Sequence, residues 1–242
     1  MKLGHFGLAL VLLGAGSAYA QDVEEIVVTG LRSEGAAVPG TSLRRPGDFL
    51  LLTVQVSNDS RDDKTRDNEI KETLRAMLAA AGRDKSIELS VIGDNNLVLP
   101  LRLDSGTLTL VNGKRPDTSE TTVSVKTRIP ASVPNSSALV AKLRDFVKGI
   151  KPVGRTIVDG DGDFEISLVK PAQYRDEVIG LFAADVKRVT AALGPDYKVV
   201  VQGIDKPIQW VRDGMLDVTI FVPYGFDVIP ATVSGYTKIQ GE

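Results

Sequence analysis

The 242-residue chain contains no cysteine and a single histidine, His5. The lack of thiols excludes disulfides, thiolate metal sites and a cysteine nucleophile. His5 lies in a segment that we predict is removed on export. The exported protein would then lack imidazole, and a Ser-His-Asp triad could not form. A chain of this length can bury a core without disulfides, so we expect packing alone to hold the fold.

The sequence also lacks an apolar run as long as the roughly 20 residues that span a bilayer. Residues 1–20 instead have the pattern of a secretory signal, with Lys2, an apolar run at 8–13 and the small-x-small sequence Ala18-Tyr19-Ala20. We predict cleavage near Ala20. The mature chain would have no transmembrane segment and would lie in the periplasm of a Gram-negative cell or outside it.

No charge of one sign dominates, with 29 Lys+Arg against 31 Asp+Glu, and aromatic residues make up only 5% of the chain. No basic run is interleaved with aromatic residues, so we expect no nucleic-acid partner.

Glycine and proline in residues 31–47 indicate a loop. We therefore divide the mature chain into an N-terminal strand or flexible segment at 21–47, a domain at 48–230 and a tail at 231–242.

Apolar alternation predicts strands at 49–56, 87–92, 97–103, 107–111, 121–129, 156–158, 164–169, 197–201 and 216–222. The four strands between 87 and 129 suggest an antiparallel meander.

Apolar stripes at helical spacing predict three amphipathic helices. The first has Gly82 where a left-handed C-cap is expected, and the third follows Pro171 and ends at Gly194. The stripe of the first is Ile70, Leu74, Met77, Leu78 and Ala81; that of the second is Leu139, Val140, Leu143, Phe146, Val147 and Ile150; that of the third is Val178, Leu181, Phe182, Val186, Val189 and Leu193. Strand clusters separated by single helices predict an α+β fold, with mostly antiparallel sheets packed by about three helices.

Three segments resemble the SIMPL-domain family of exported bacterial proteins. Ile26-Val27-Val28-Thr29-Gly30 is similar to its opening strand, and residues 74–87, with Ala79-Ala80-Ala81-Gly82, are similar to its first helix running into a strand. Residues 183–194 resemble its long helix of small residues ending in Leu-Gly. The resemblance implies an α+β fold, a periplasmic or envelope-associated location and assembly into ring-like oligomers. It implies no catalytic residues and no cofactor.

Three aspartates stand on alternate residues in the segment Asp159-Gly160-Asp161-Gly162-Asp163. Asp159, Asp161 and Asp163 could converge on Ca²⁺, but an EF-hand loop would need a glycine and a closing glutamate where Phe164 and Lys170 stand. Asp-Gly is also a common tight-turn dipeptide, so the favoured interpretation is a plain hairpin turn between the flanking strands.

The sequence from Glu24 to Gly30 also resembles the TonB box of outer-membrane receptors. Such a segment must be exposed to add a strand to its partner's sheet, with Glu25, Ile26, Val27, Val28 and Thr29 as the contact residues. The alternative is that the same residues form the first strand of the domain. The two interpretations imply different functions.

Chemistry-bearing motifs are few. Ser167-Leu168-Val169-Lys170 matches a Ser-x-x-Lys string, but it lies in a predicted strand, where residues three apart face opposite sides. The one tryptophan, Trp210, is interpreted as a core or interface anchor. We therefore expect a non-enzymatic envelope protein of SIMPL type that acts as an interaction or assembly module, a homo-oligomer with a possible envelope partner. The alternatives are a TonB-linked periplasmic binding protein and a carboxylate-based hydrolase.

Overall fold

The computed structural model describes residues 24–28, 38–104, 108–113, 115, 117–132 and 136–234. The predicted signal peptide, Thr29 and residues 235–242 of the predicted tail lie outside this part of the chain. Within it the fold is α+β, as the sequence predicts, with antiparallel sheets and three α-helices. The helices are α1 (Asp63–Arg83), α2 (Ser137–Lys148) and α3 (Arg175–Leu193).

Strands account for the larger share of the described fold. They are β1 (Glu25–Val28), β2 (Leu43–Pro46), β3 (Phe49–Asn58), β4 (Glu88–Ile92), β5 (Val98–Pro100), β6 (Val111–Asn112), β7 (Ser119–Arg128), β8 (Thr156–Asp159), β9 (Phe164–Val169), β10 (Tyr197–Gln202), β11 (Gln209–Asp213), β12 (Asp217–Phe221) and β13 (Gly225–Pro230).

The largest sheet has the order β1-β9-β3-β7-β4-β5, and all of its neighbours are antiparallel. β4 and β6 both pair with β7, so the predicted simple meander is wrong. The long strand β7 has room for both, because β4 pairs along its second half and β6 at its start. β3, buried on both faces over most of its length, forms the centre of the molecule.

α1 covers one face of this sheet. Its side chains Ile70, Leu74 and Met77 are fully buried in the main core, together with alternate residues of β3. Asp62 caps its N-terminus by accepting a hydrogen bond from the amide of Thr65 at 2.8 Å. The predicted C-cap is wrong. Gly82 lies inside the helix, and the cap is Asp84, in the extended region at φ −106°.

α2 contains the predicted stripe except Ile150, which lies two residues beyond its end, and it has fewer buried residues than α1. Leu143 and Val147 are buried, and the rest of the predicted stripe packs against the main core while remaining partly exposed.

β2 lies in the segment whose composition predicts a loop, and that prediction is wrong for residues 43–46. β2 pairs with β12, which also pairs with β11, in a three-stranded antiparallel sheet. Its sequence, Leu-Arg-Arg-Pro, has little apolar content because it is an edge strand, and Pro46 occupies its last position. Backbone pairing with β12, rather than its own side chains, makes it a strand.

The opposite face of the large sheet carries a second, smaller core. An isolated antiparallel bridge joins Ile26 to Leu97, so β1 at one end of the sheet comes near β5 at the other. The sheet therefore curls on the side away from α1. Val27, Phe49, Leu51 and Val98 form a buried cluster on that concave side.

α3 is the helix that departs most from its pattern. Val178 and Phe182 are buried, but Leu181 is 41% exposed and Leu193 is 37% exposed, so the prediction that the whole stripe faces inward is wrong. α3 lies against β10, which pairs only with β13 among the described strands. This C-terminal sheet is too small to cover the rest of the helix.

Candidate functional site

The N-terminal segment that has two interpretations forms β1, a buried strand at one end of the large sheet. Glu25 to Val28 pair with β9, and Ile26, Val27 and Val28 are at most 8% exposed. The arrangement corresponds to the first strand of the domain. Thr29, the last of the predicted partner-binding residues, lies outside the described residues.

Glu25 is fixed in place by a buried polar network. Its Oε2 atom lies 2.5 Å from Nζ of Lys126, and its Oε1 atom accepts a hydrogen bond of 2.5 Å from the hydroxyl of Ser167. The carboxylate of Glu88 lies 3.3 Å from Nζ of the same lysine, and the ammonium stands 4.2 Å from the ring centre of Phe49. Residues of four strands, β1, β4, β7 and β9, thus satisfy the carboxylate and the ammonium inside the curled sheet.

This network determines what β1 can do. Buried charges are costly unless they are paired, and removal of one partner leaves the other uncompensated. For Glu24–Thr29 to dock on another protein, β1 would have to leave β9, expose three apolar side chains and deprive Lys126 of its closest carboxylate. The geometry therefore gives no support to a permanently exposed docking segment.

The same network accounts for Ser167, the serine of the Ser-x-x-Lys string. Ser167 is fully buried and donates to Glu25, whereas Lys170 is exposed beyond the end of β9. The serine has no solvent-accessible surface at which a substrate could meet it. Its role here is to position Glu25.

The acidic segment does not form the predicted hairpin. β8 and β9 both pair antiparallel with β3, with Asp159 opposite Gln55 and Phe164 opposite Leu52. β8 and β9 therefore pair one after the other along the same edge of β3. Between them is a bulge, in which residues 160–163 lie opposite Thr53 and Val54. The hairpin prediction failed because Asp-Gly residues suit a bulge as well as a turn.

The glycines of this bulge are required by close approaches. A Cβ atom on Gly162 would overlap the carbonyl of Thr53, and one on Gly160 would lie 2.8 Å from a methyl of Val147. Among the described residues, no group of three or more acidic side chains is placed to hold a metal ion. Asp159, Asp161 and Asp163 are each exposed, and Oδ1 of Asp159 accepts a hydrogen bond from the amide of Asp161 at 2.9 Å. The calcium hypothesis for these residues is therefore not supported.

Glu165, which the sequence did not single out, is the unusual carboxylate beside the bulge. Its Oε2 atom is buried and has no hydrogen-bond partner in the described part of the chain. Burial raises the pKa of Glu165, Asp163 adds to the rise, and the nearby charge of Arg212 opposes both. It lines an open cavity of about 470 Å³ together with Thr53, Gln55 and Thr122. A single glutamate between Phe164 and Ile166 in a strand carries no sequence signal that would have revealed it.

The C-terminal sheet carries the clearest exposed surface. Cross-strand pairs on one face are Tyr197 with Pro230, Val199 with Val228, and Val201 with Phe226, and every member is apolar. We call these six residues the apolar face. Tyr197 is 46% exposed, Phe226 40% and Val228 42%. On the other face Ile229 is only 8% exposed, so burial alternates along β13 and the apolar face points outward.

Trp210 lies in the edge strand β11, is partly buried and packs against the main core, which agrees with its interpretation as an anchor.

No protein-family model matches the chain, and a search of curated proteins found no match either. In the described residues there is no helix of the length and apolar character needed to cross a membrane.

Proposed function

We propose that the protein is a non-enzymatic, exported envelope protein of SIMPL type that acts as an assembly module, and that copies associate through the apolar face. The observation that carries this proposal is that all six residues of one face of a two-stranded sheet are apolar and face outward. An isolated two-stranded sheet is marginally stable in water. Contiguous exposed apolar surface marks interaction sites in soluble proteins.

A second copy of the chain is the occupant that suits this face. The face carries no charge, so two copies related by a two-fold axis meet without like-charge repulsion. The central pair is Val199 with Val228, and each end carries one aromatic ring, Tyr197 or Phe226. Both strands also have an open edge among the described residues, which leaves backbone groups free to extend the sheet into a neighbouring copy.

The location and family type have their own support. The α+β fold agrees with what the resemblance to SIMPL proteins implies, and residues 1–20 have the pattern of an export signal. The TonB-linked alternative would need β1 to be released from the sheet, where it is buried and paired.

The test measures mass in solution for the chain without residues 1–20, which retains every described residue. Size-exclusion chromatography with light scattering should give an oligomer for wild type and a monomer for Phe226→Asp/Val228→Asp. The matched control is Val111→Asp/Ile157→Asp, because these apolar side chains are 49% and 61% exposed elsewhere. The control should remain oligomeric. Circular dichroism of each variant establishes that it is folded.

Two results would overturn the proposal. One is a monomeric wild type at tens of micromolar protein. The other is a folded Phe226→Asp/Val228→Asp variant with the wild-type mass.

A further inference from the structure

Three connections that each carry an arginine meet at one end of the large sheet. The register places Asn58, at the end of β3, opposite both Ser119 of β7 and Thr156 of β8. Arg61 therefore follows β3 at the same place where Arg115 precedes β7 and Arg155 precedes β8. Together with Asp59, Asp117 and Thr118 they line a cleft of about 370 Å³. We call it the arginine cleft.

The floor of the arginine cleft is held by a fourth arginine. Arg66 of α1 is 4% exposed, and its Nη1 atom donates to the carbonyls of Ser60 at 2.8 Å and Arg61 at 3.2 Å. Its Nε atom donates to the hydroxyl of Ser119 at 3.1 Å. This buried guanidinium ties the connection after β3 to the start of β7, so the backbone beneath Arg61 is fixed before any ligand arrives.

The wall beside Arg155 is fixed by Glu69 of α1. The Glu69 carboxylate accepts hydrogen bonds from the amide of Arg155 at 3.0 Å, from Nδ2 of Asn58 at 2.6 Å and from the hydroxyl of Ser60 at 3.0 Å. The Arg155 amide, with these side chains, lowers the pKa of Glu69, so it remains a carboxylate at neutral pH. Gly154 stands at φ +59°, and a Cβ there would overlap this carboxylate.

The charges in the arginine cleft are unevenly paired. Asp59 binds Arg155 in a bidentate arrangement, with N–O distances of 2.7 and 3.0 Å. The side chains of Arg61 and Arg115 are exposed and make no hydrogen bond or ion pair with the described residues, although the charge of Arg115, after that of Arg155, helps to lower the pKa of Asp59. The remaining acid of the cleft is Asp117. Two guanidinium groups are thus available on a fixed backbone, and their donor forks match the oxygens of a phosphate.

We propose that the arginine cleft binds a phosphomonoester group through Arg61 and Arg115, with Arg155 as a third positive charge. The cleft has room for more than a bare phosphate, so it can accept the group on a larger molecule, either a soluble phosphorylated compound or a lipid headgroup. The site is distinct from the apolar face and does not depend on self-association.

Isothermal titration calorimetry and vesicle sedimentation test the proposal at constant ionic strength. The soluble probes are inorganic phosphate and glucose 6-phosphate, and the lipid probe is phosphatidic acid in phosphatidylcholine vesicles, with pure phosphatidylcholine as the blank. At least one probe should bind wild type. Arg61→Ala/Arg115→Ala should weaken that binding about tenfold or more, because hydrogen bonds to charged groups are lost.

The control, Arg75→Ala/Arg188→Ala, removes two exposed arginines of α1 and α3 and changes the net charge equally. It should leave binding unchanged. Binding of glucose 6-phosphate identifies a soluble ligand, and binding of the vesicles alone identifies a lipid headgroup. The proposal is overturned if wild type binds none of the probes, or if both double variants weaken binding equally. The light-scattering mass of the cleft variant should match wild type, which separates this result from the test of the apolar face.

Discussion

The two long helices have similar apolar patterns and different surroundings. In α1, Ile70, Leu74 and Met77 are fully buried, because α1 lies across the large sheet. In α3, Leu181 and Leu193 are more than a third exposed, because the strands beside α3 belong to small sheets of two and three strands. An apolar stripe shows which side of a helix avoids water, but not whether the fold provides enough surface to cover it.

The largest effect should come from matched truncations in these two helices. Leu74→Ala removes a fully buried side chain and leaves a cavity, so it should lower the free energy of unfolding by about 3–5 kcal/mol. Leu181→Ala, with a side chain 41% exposed, should cost less than about 1 kcal/mol. Urea unfolding of both variants measures the difference. Equal costs would mean that α3 is covered as thoroughly as α1, and the comparison would fail.

A second prediction concerns the buried pair inside the curled sheet. Glu25→Ala should cost on the order of 3 kcal/mol, because Lys126 would stay buried with only the exposed Glu88 nearby. Amides of β1 should then exchange hydrogen faster. The control is Glu88→Ala, whose side chain contacts the same lysine but is 54% exposed, and it should have little effect. Fast exchange of β1 in wild type would instead favour the docking interpretation.

The smallest effects are two pH dependences of opposite sign. The folded-state pKa of Glu69 is lowered by hydrogen bonds, so its contribution to stability is present above 4.5 and is lost as the pH falls through the folded pKa. Glu69→Gln should therefore destabilise at pH 7 and approach wild type in acid. Glu72→Gln on the outside of α1 serves as its control. Urea midpoints of wild type and both variants, measured from pH 8 down to about pH 2, test this prediction.

Glu165 should behave in the opposite way. Burial raises its folded-state pKa, so the ionised carboxylate costs stability above that pKa and the cost disappears below 4.5. Glu165→Gln should stabilise at pH 7, with a gain that shrinks as the pH falls. A destabilised Glu165→Gln at pH 7 would show that the ionised carboxylate is stabilised, by Arg212 above all.

Local patterns were sufficient for the class of fold and for most elements. The stripes located three helices, and alternation located strands such as β7 and β12, because both signals depend on residues close in sequence. Which strands pair with each other was less predictable from the sequence. The prediction of a hairpin at residues 159–163 was wrong. Whether an Asp-Gly segment forms a turn or a bulge depends here on its pairing with β3, which lies about a hundred residues earlier in the chain. β2 was missed for the same reason, since β12 makes it a strand.

The candidate sites also differ in how much of each could be predicted from local sequence. Alternation at 197–201 contained half of the apolar face, but only the pairing of β10 with β13 showed that its other half is also apolar and that both point to solvent. The arginine cleft had no local signal, because Arg61, Arg115 and Arg155 lie in three separate connections.

The sequence by itself determined that the protein has no thiol chemistry, has a single imidazole at His5, and is built from amphipathic helices and alternating strands in an α+β order. These properties follow from composition and from the spacing of apolar residues. That spacing has a period of two in strands and 3.6 in helices, and it can be read from residues close together in the sequence. Only the tertiary structure decided that β1 is buried, that α3 is half covered and that three arginines share one cleft. Such outcomes depend on antiparallel register between distant segments, and a one-residue shift in register would turn each side chain to the other face.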